Sequence, residues 1–180
     1  MGYAEASQII NAPVEAVWKA LNDIDNTSKW VAGLETAKVI SEGDYGVGTL
    51  YNDYNNLGPI LQVTTWKIME FEPMSHQVHM SDSDNLPSTM ALNMTSVPEG
   101  TRLTMKVDFH FMPHLGVIGR IFESLVMNRL LSSVLRQNMR QLNAYLQKQP
   151  VKTPVKRKTI ELPTLKITRE EVQEAYERAR

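Results

Sequence analysis

The chain has 180 residues, a formal net charge of −1 and no cysteine. Its length suits one domain of about 150 residues with an appendage, which is enough to form a core. The near-zero charge argues against a general nucleic-acid-binding protein, and the lack of cysteine excludes disulfides, zinc–thiolate sites and cysteine nucleophiles.

Two features of the sequence bear on its cellular location. It shows neither the apolar segment of a signal peptide nor a stretch of about twenty apolar residues that would span a bilayer. The lack of cysteine fits a reducing cytosol. We therefore expect a cytoplasmic protein without an integral membrane segment.

The first predicted elements are a strand and two short helices. Glu5–Asn11 is the strand candidate, and Pro13 suits the first position of the next helix because that position needs no N–H donor. The apolar face of this helix has helical spacing and consists of Val14, Val17, Trp18 and Leu21. Residues 25–30 predict a second, shorter helical turn.

A series of strands follows. The candidates are Thr36–Ser41, Thr49–Tyr54, Leu61–Phe71, His76–Ser81, Pro87–Val97 and Thr101–Met112. The glycine-rich segment 42–48 predicts a hairpin loop; it is not a phosphate-binding loop, because no Lys-Ser/Thr pair and no helix follow it. In the last strand apolar residues from Leu103 to Phe111 alternate with polar residues from Thr104 to His110. Such alternation predicts an antiparallel sheet with one face on the core and the other in water.

The segment Pro113–Gln149 predicts one long helix. Its apolar residues recur at intervals of three and four, and they are Ile121, Leu125, Leu131, Leu135, Met139, Leu142 and Leu146, widened in the first half by Phe122, Val126, Leu130 and Val134. Asn128 lies on the same face. The opposite side carries Arg129, Ser133, Arg136, Arg140 and Gln147, and Pro150 ends the helix.

This order of elements resembles the START/Bet v 1-like (SRPBCC) superfamily, in particular its polyketide cyclase/dehydrase and lipid-transport branch. The matching stretches are Ile10–Trp18, Gly46–Thr49, Trp66–Pro73 and the long helix, and the resemblance covers about residues 3–148. It implies an α+β helix-grip fold, in which a curved antiparallel sheet surrounds a C-terminal helix with an apolar cavity between them. Members bind lipids, polyketides or hormones, and a minority catalyse reactions; the motifs carry no universal catalytic residue.

The predicted ligand-binding residues are of three kinds. Met90, Met94 and Met105 should face the helix, and they should form the walls of the cavity together with Phe109 of the sheet and Leu125 of the helix. Methionine adapts to irregular apolar ligands, and ordinary core packing is the alternative. Aromatic residues with a polar group can orient a ligand at the mouth of the pocket, and these are Tyr51, Tyr54 and Trp66. Asn128 on the apolar helix face needs a partner, which a ligand, a water or a strand carbonyl can supply.

Other polar residues give weaker indications of a metal site or a catalytic site. His76 and His79 should lie on opposite faces of one strand, which argues against joint metal binding. Asp108 and His110 share a face predicted to be solvated, so an acid–base pair there is a minor alternative. Asp82, Asp84 and Asn85 lack the glycine and terminal glutamate of a calcium loop. We therefore expect no metal and no cofactor.

Two classes of function remain open on the sequence alone. The first is a carrier or binder of an apolar small molecule, such as a lipid or polyketide, and the lack of a nucleophile motif favours it. The second is a cyclase or dehydratase, for which no catalytic residue is assigned. A buried ionisable group in the pocket would distinguish the second class from the first.

The chain divides into a ligand-binding domain, residues 1–149, and a tail, residues 150–180. Residues 151–180 carry eight Lys and Arg and five Asp and Glu, a net of +3, which leaves −4 on the rest. A basic linker precedes a short amphipathic helix that Thr168 and Glu171 would cap. So short a helix needs a docking surface, and we expect its own domain or a second copy, as a tail-exchanged homodimer, to supply it.

Overall fold

The computed structural model describes residues 2–57, 60–81, 86–110 and 128–147. The strands in this part of the chain are β1 Gly2–Ile10, β2 Leu34–Val39, β3 Leu50–Leu57, β4 Ile60–Glu72, β5 His76–Ser81, β6 Ser88–Val97 and β7 Gly100–Phe109. The helices are α1 Val14–Asn22, a 3-10 helix Ile24–Lys29, and α2 Asn128–Leu146. All of these elements match segments expected from the sequence, with shifted ends.

The strands form one curled antiparallel sheet with the order β1-β7-β6-β5-β4-β3-β2. Successive strands from β2 to β7 are neighbours, and β1 pairs with β7. The turn between β6 and β7 depends on Gly100, which has φ +137° and lies so close to the backbone of Ile10 that a side chain would collide with it. The predicted helix-grip architecture, a curled sheet with a C-terminal helix, is confirmed.

Buried side chains form two groups on the inner face of the sheet, the face that the helices cover. The larger group joins β1, β6 and β7 to α1 and α2, and its centre includes Leu103, Met139 and Leu142. The smaller group joins β2, β3 and β4 to the 3-10 helix and includes Ile24 and Ile68. Strand β5 lies between these two groups in the sheet order.

Three asparagine side chains of α2 accept hydrogen bonds from backbone N–H groups that have no partner within the sheet. The side-chain oxygens of Asn128, Asn138 and Asn143 accept hydrogen bonds from backbone N–H groups at 3.1, 3.0 and 2.8 Å. The donors are Tyr3 near the start of β1, Asn11 directly after its end, and Ala32. Because β1 is an edge strand, these bonds satisfy donors that would otherwise face solvent or apolar side chains.

The apolar face predicted for the long helix is correct for Leu135, Met139 and Leu142, which are buried in α2. Leu130 is 41% exposed, so it does not belong to that face. The expected helix was longer than α2; residues 113–127, including Leu125, lie outside the described residues, as do residues 82–85 and the tail. No helix in the described ranges combines the length and the apolar character that crossing a bilayer requires.

Candidate functional site

Strand β5 turns three polar side chains to the inner face and leaves an apolar one exposed on the outer face. Gln77, His79 and Ser81 are 0%, 2% and 2% exposed, whereas Met80 is 41% exposed. This arrangement is the reverse of the usual strand pattern, in which apolar residues face the core. We call Gln77, His79 and Ser81 the polar row.

The register of the neighbouring strands fixes the surroundings of the polar row. His79 is opposite Met90 of β6 and Ile68 of β4. A β-bulge between Ile68 and Glu70 then shifts the alternation of β4, so that Phe71 also turns inward and lies opposite Gln77. Trp18 of α1 packs on Phe71 with ring centroids 4.8 Å apart, so α1 reaches the Gln77 end of the row.

A buried hydrogen bond connects β3 to the polar row. The hydroxyl of Tyr51 lies 2.7 Å from Nδ1 of His79, and the two rings meet edge to face at 5.6 Å. Ile68, on the strand between them, is fully buried. Since a phenol can donate or accept, either tautomer of His79 satisfies this bond.

Burial keeps both partners of this bond uncharged near neutral pH. It lowers the pKa of His79 to about 4, because the imidazolium form would lose its hydration. It also raises the pKa of Tyr51 well above its usual value, with smaller contributions from the nearby Asp53 and Tyr45. The pair is therefore a neutral imidazole and a neutral phenol.

A third ionisable group, Asp53, shares the inner face of β3 with Tyr51. Burial raises the pKa of Asp53 to about 6, and a hydrogen bond from the Trp66 side chain opposes part of this rise. Trp66 is itself the cross-strand neighbour of Tyr51. The carboxyl of Asp53 therefore changes its protonation close to neutral pH, where general acids and bases work best.

Buried polar atoms of the described residues lack hydrogen-bond partners throughout the polar row. They are both amide atoms of Gln77, Nε2 of His79 and Oγ of Ser81. An unsatisfied buried polar group costs about 1–3 kcal/mol, so four on one strand call for an explanation. These atoms form a line of donors and acceptors that a bound molecule can use.

Most residues predicted to bind ligand lie on this one face. Tyr51, Trp66, Met90, Met94, Met105 and Phe109 all belong to or contact the two buried groups. Among the methionines, Met94 and Met105 are buried in the larger group, whereas Met90 is only partly buried and lies beside His79.

Two predicted residues are placed differently, and one lies outside the described residues. Tyr54 is three residues after Tyr51 in an unbroken register, so it points to the outer face, where it lies opposite Val63. Asn128 binds the N–H of Tyr3 and thus holds α2 against β1. Leu125 is the residue outside the described part of the chain.

His76 and Asp108 lie on the outer face, apart from the polar row. His76 points outward and its ring nitrogens contact Asn93 and Glu70 at 2.8 and 3.0 Å, so the two histidines of β5 do lie on opposite faces. Asp108 pairs with Lys106 at 3.2 Å on the outer face. In the described ranges no group of three or more His, Asp or Glu side chains is arranged to hold a metal.

The sequence predictions did not include Gln77, Asp53 or Ser81, and they weighed His79 only as a metal ligand. The signal was the alternation of β5, Gln77-Val78-His79-Met80-Ser81, which fits a half-buried strand in either orientation. The ordinary orientation would place Val78 and Met80 inside. Only the pairing with β4 and β6 reverses it.

The comparison with known proteins agrees with this architecture. The family model described as polyketide cyclase / dehydrase and lipid transport matches residues 1–147. No curated protein sequence matches the chain significantly.

Solved structures with the same fold are numerous. A START superfamily protein from Mycobacterium smegmatis superposes with a TM-score of 0.68 at 12% identity, covering 82% of this chain and 99% of that one. The Zhui aromatase/cyclase from a Streptomyces species gives 0.66 at 11% identity, with 81% and 93% covered. Protein MLL2253 from Mesorhizobium loti gives 0.62 at 18% identity, with 83% and 99% covered. At these identities the likeness concerns the fold.

Proposed function

Because this chain belongs to the polyketide cyclase / dehydrase and lipid transport family, we propose that it binds a mainly apolar small molecule at the inner face of its sheet. The family description names two kinds of role, and both require that an apolar molecule be held by the protein. The aromatase/cyclase and the START protein share the fold that would hold it.

The unpaired polar row is the observation that carries this proposal. Small-molecule sites are mostly apolar, with a few polar groups that fix the orientation of the ligand. The two buried apolar groups lie on either side of β5, and the unpaired atoms of Gln77, His79 and Ser81 lie between them. A packed core without a ligand would leave these atoms unsatisfied.

Met90 is the wall residue best suited to a test. It is partly buried, lies opposite His79, and packs against the larger apolar group, whereas Met105 is already enclosed in that group. A bulky residue at position 90 would therefore occupy ligand space, while one at position 105 would strain the core.

The experiment measures binding of Nile red, an uncharged fluorescent probe, to the full chain. We expect saturable binding and displacement by competing apolar compounds. Met90→Trp should weaken binding, and Met80→Trp, on the exposed outer side of β5, should leave it unchanged. If wild-type protein does not bind the probe saturably, or if both variants behave alike, the proposal is wrong. If the probe binds as expected, native mass spectrometry of protein purified without added ligand would identify the molecule that the protein carries.

A second candidate function is acid–base chemistry on the bound molecule, as in a cyclase or dehydratase. Two ionisable side chains on the same inner face favour it, namely Asp53 and His79. With a pKa of about 4, His79 is a weak base at neutral pH. Asp53, with a pKa of about 6, is the better proton acceptor.

Deuterium exchange next to a ketone tests this second function. A bound base that removes a proton from the α carbon of tetralone would speed the incorporation of deuterium from heavy water, which mass spectrometry measures. Asp53→Asn should then abolish the acceleration while Nile red binding persists. If wild-type protein does not accelerate exchange in a ketone that displaces Nile red, the chain is a binder and this second candidate fails.

A further inference from the structure

The charges of the described residues restrict the kind of molecule that the inner face can hold. Every described lysine and arginine is exposed, except Lys106, which pairs with Asp108 on the outer face. Among the described residues of β3 and β5, the ionisable groups that face inward are Tyr51, Asp53 and His79, and at neutral pH Asp53 carries a negative charge. A ligand carboxylate at the polar row would therefore be buried with no cation of the described residues beside it, which is unfavourable.

The chemistry of the unpaired atoms further defines the ligand. Gln77 offers an amide NH2 group as donor and an amide oxygen as acceptor. One ligand hydroxyl can bond to both, or a ligand carbonyl can accept from the NH2 group while a separate hydroxyl donates to the oxygen. Nε2 of His79 donates or accepts according to the tautomer, and the hydroxyl of Tyr51 adjusts at Nδ1 in either case. None of these atoms requires a charged partner.

The spacing along β5 sets where the ligand's polar groups must lie. Alternate residues of a strand are about 7 Å apart. Gln77 and His79 therefore bind two groups separated by roughly that distance, with the apolar side chains of Phe71, Leu92, Met90 and Ile68 on the flanking strands. Two oxygens on neighbouring carbons would reach only one of the two side chains.

We propose that the polar row selects an uncharged, elongated ligand that carries hydroxyl or carbonyl oxygens at two separated positions, and that the inner face excludes fatty-acid anions. This inference rests on the proposed function, because it names the class of molecule bound at the same site. Neutral compounds with an oxygen near each end of an apolar skeleton fit it, and free fatty acids do not.

Two matched pairs of competitors against Nile red test this selection at neutral pH. Hexadecanol and palmitate have the same number of carbons and differ in charge, and the alcohol should compete at a concentration at least about tenfold lower. Among dihydroxynaphthalenes, the isomer with hydroxyls at opposite ends of the two rings should compete better than the isomer with hydroxyls on adjacent carbons.

Variants test whether the preference for the alcohol and the preference for the separated isomer depend on the proposed residues. Gln77→Met should abolish the preference between the two dihydroxynaphthalenes, while His76→Gln on the outer face of β5 should keep it. Met90→Lys brings an ammonium group next to His79 and should reduce or reverse the preference for the alcohol, with circular dichroism to confirm that the variant folds.

The outcomes separate this inference from the proposed function. If palmitate competes as well as hexadecanol, or if Gln77→Met leaves the preference between the isomers intact, the inference is overturned although the binding function stands. If neither Nile red nor any competitor binds, the proposed function itself fails.

Discussion

Strands β7 and β5 lie one strand apart in the same sheet, yet they bury opposite kinds of side chain. In β7 the inner residues are apolar, with Leu103, Met105 and Phe109 packed against the helices. In β5 the inner residues are Gln77, His79 and Ser81, and apolar Met80 faces outward. The part of the inner face around β7 contains the larger group of buried apolar residues. In the part around β5, buried polar atoms without hydrogen-bond partners lower the stability of the folded protein.

This contrast separates residues that stabilise the fold from residues that we propose bind a ligand. The inner side chains of β7 pack against apolar neighbours, whereas Gln77, His79 and Ser81 of β5 have buried atoms without hydrogen-bond partners among the described residues. Removing a buried apolar side chain should therefore destabilise the protein, whereas replacing an unpaired polar side chain of β5 with an apolar one should not.

The largest effect is expected in the part around β7, on α2. Leu142 is fully buried there, so Leu142→Ala should lower the free energy of unfolding by about 2–5 kcal/mol. Leu130 lies on the same helix and is 41% exposed, so Leu130→Ala should change it by less than about 0.5 kcal/mol. Urea denaturation measures both, and equal losses would mean that α2 packs through a different face.

The next effect concerns the bond between β3 and β5. Tyr51→Phe removes the hydroxyl 2.7 Å from Nδ1 of His79 and leaves that nitrogen buried and unpaired, at a cost of about 1–3 kcal/mol. Tyr54→Phe makes the same chemical change on the outer face and should cost less than about 0.5 kcal/mol. Thermal or urea unfolding of the two variants compares them directly. If Tyr51→Phe is as stable as the wild-type protein, the hydrogen bond between Tyr51 and His79 is not formed in solution.

The pH dependence of stability should reveal two opposed contributions. Burial lowers the pKa of His79 from 6.5 to about 4, so the unfolded chain binds the extra proton in this range and stability rises with pH. Burial raises the pKa of Asp53 from 3.8 to about 6, so the folded protein binds the extra proton there and stability falls with pH. The two nearly cancel between about pH 4 and pH 6.

Removing either group should expose the contribution of the other. Asp53→Asn should make stability rise with pH more steeply than in wild type, by up to about 1.4 kcal/mol per pH unit, and His79→Gln should make it fall. Urea denaturation at several pH values between 4 and 6 measures the slopes, with the wild-type protein as the reference. An unchanged profile for Asp53→Asn would contradict the burial assigned to this carboxyl.

The smallest effect is expected at Gln77, and it should be favourable. Gln77→Met replaces an unpaired buried amide with an apolar chain of similar shape, so the free energy of unfolding should stay the same or increase by about 1 kcal/mol. The same variant should bind the separated dihydroxynaphthalene more weakly. Calorimetric melting of ligand-free protein checks the first expectation. A loss of more than about 1 kcal/mol would show that the amide stabilises the protein without a ligand.

Much of the fold could be predicted because its signals are local. Alternation in β7, the helical spacing of Leu135, Met139 and Leu142, and the glycine turn at Gly100 each follow from short-range steric and hydrophobic rules. The site could be predicted less well. The sequence predicts that Tyr51, Trp66 and the methionines bind ligand. It groups Tyr54 with Tyr51, because the sequence of β3 does not determine which of its residues face inward.

The sequence alone determined which segments are strands or helices, since periodicity depends on residues a few positions apart. Tertiary structure alone decided which face of β5 is buried and which side chains meet there. A strand with alternating polar and apolar residues can present either face, and its neighbours decide which one turns inward. Here the bulge after Ile68 and the pairing of β4 and β6 with β5 turn His79 inward, to within 2.7 Å of Tyr51, 28 residues earlier in the chain.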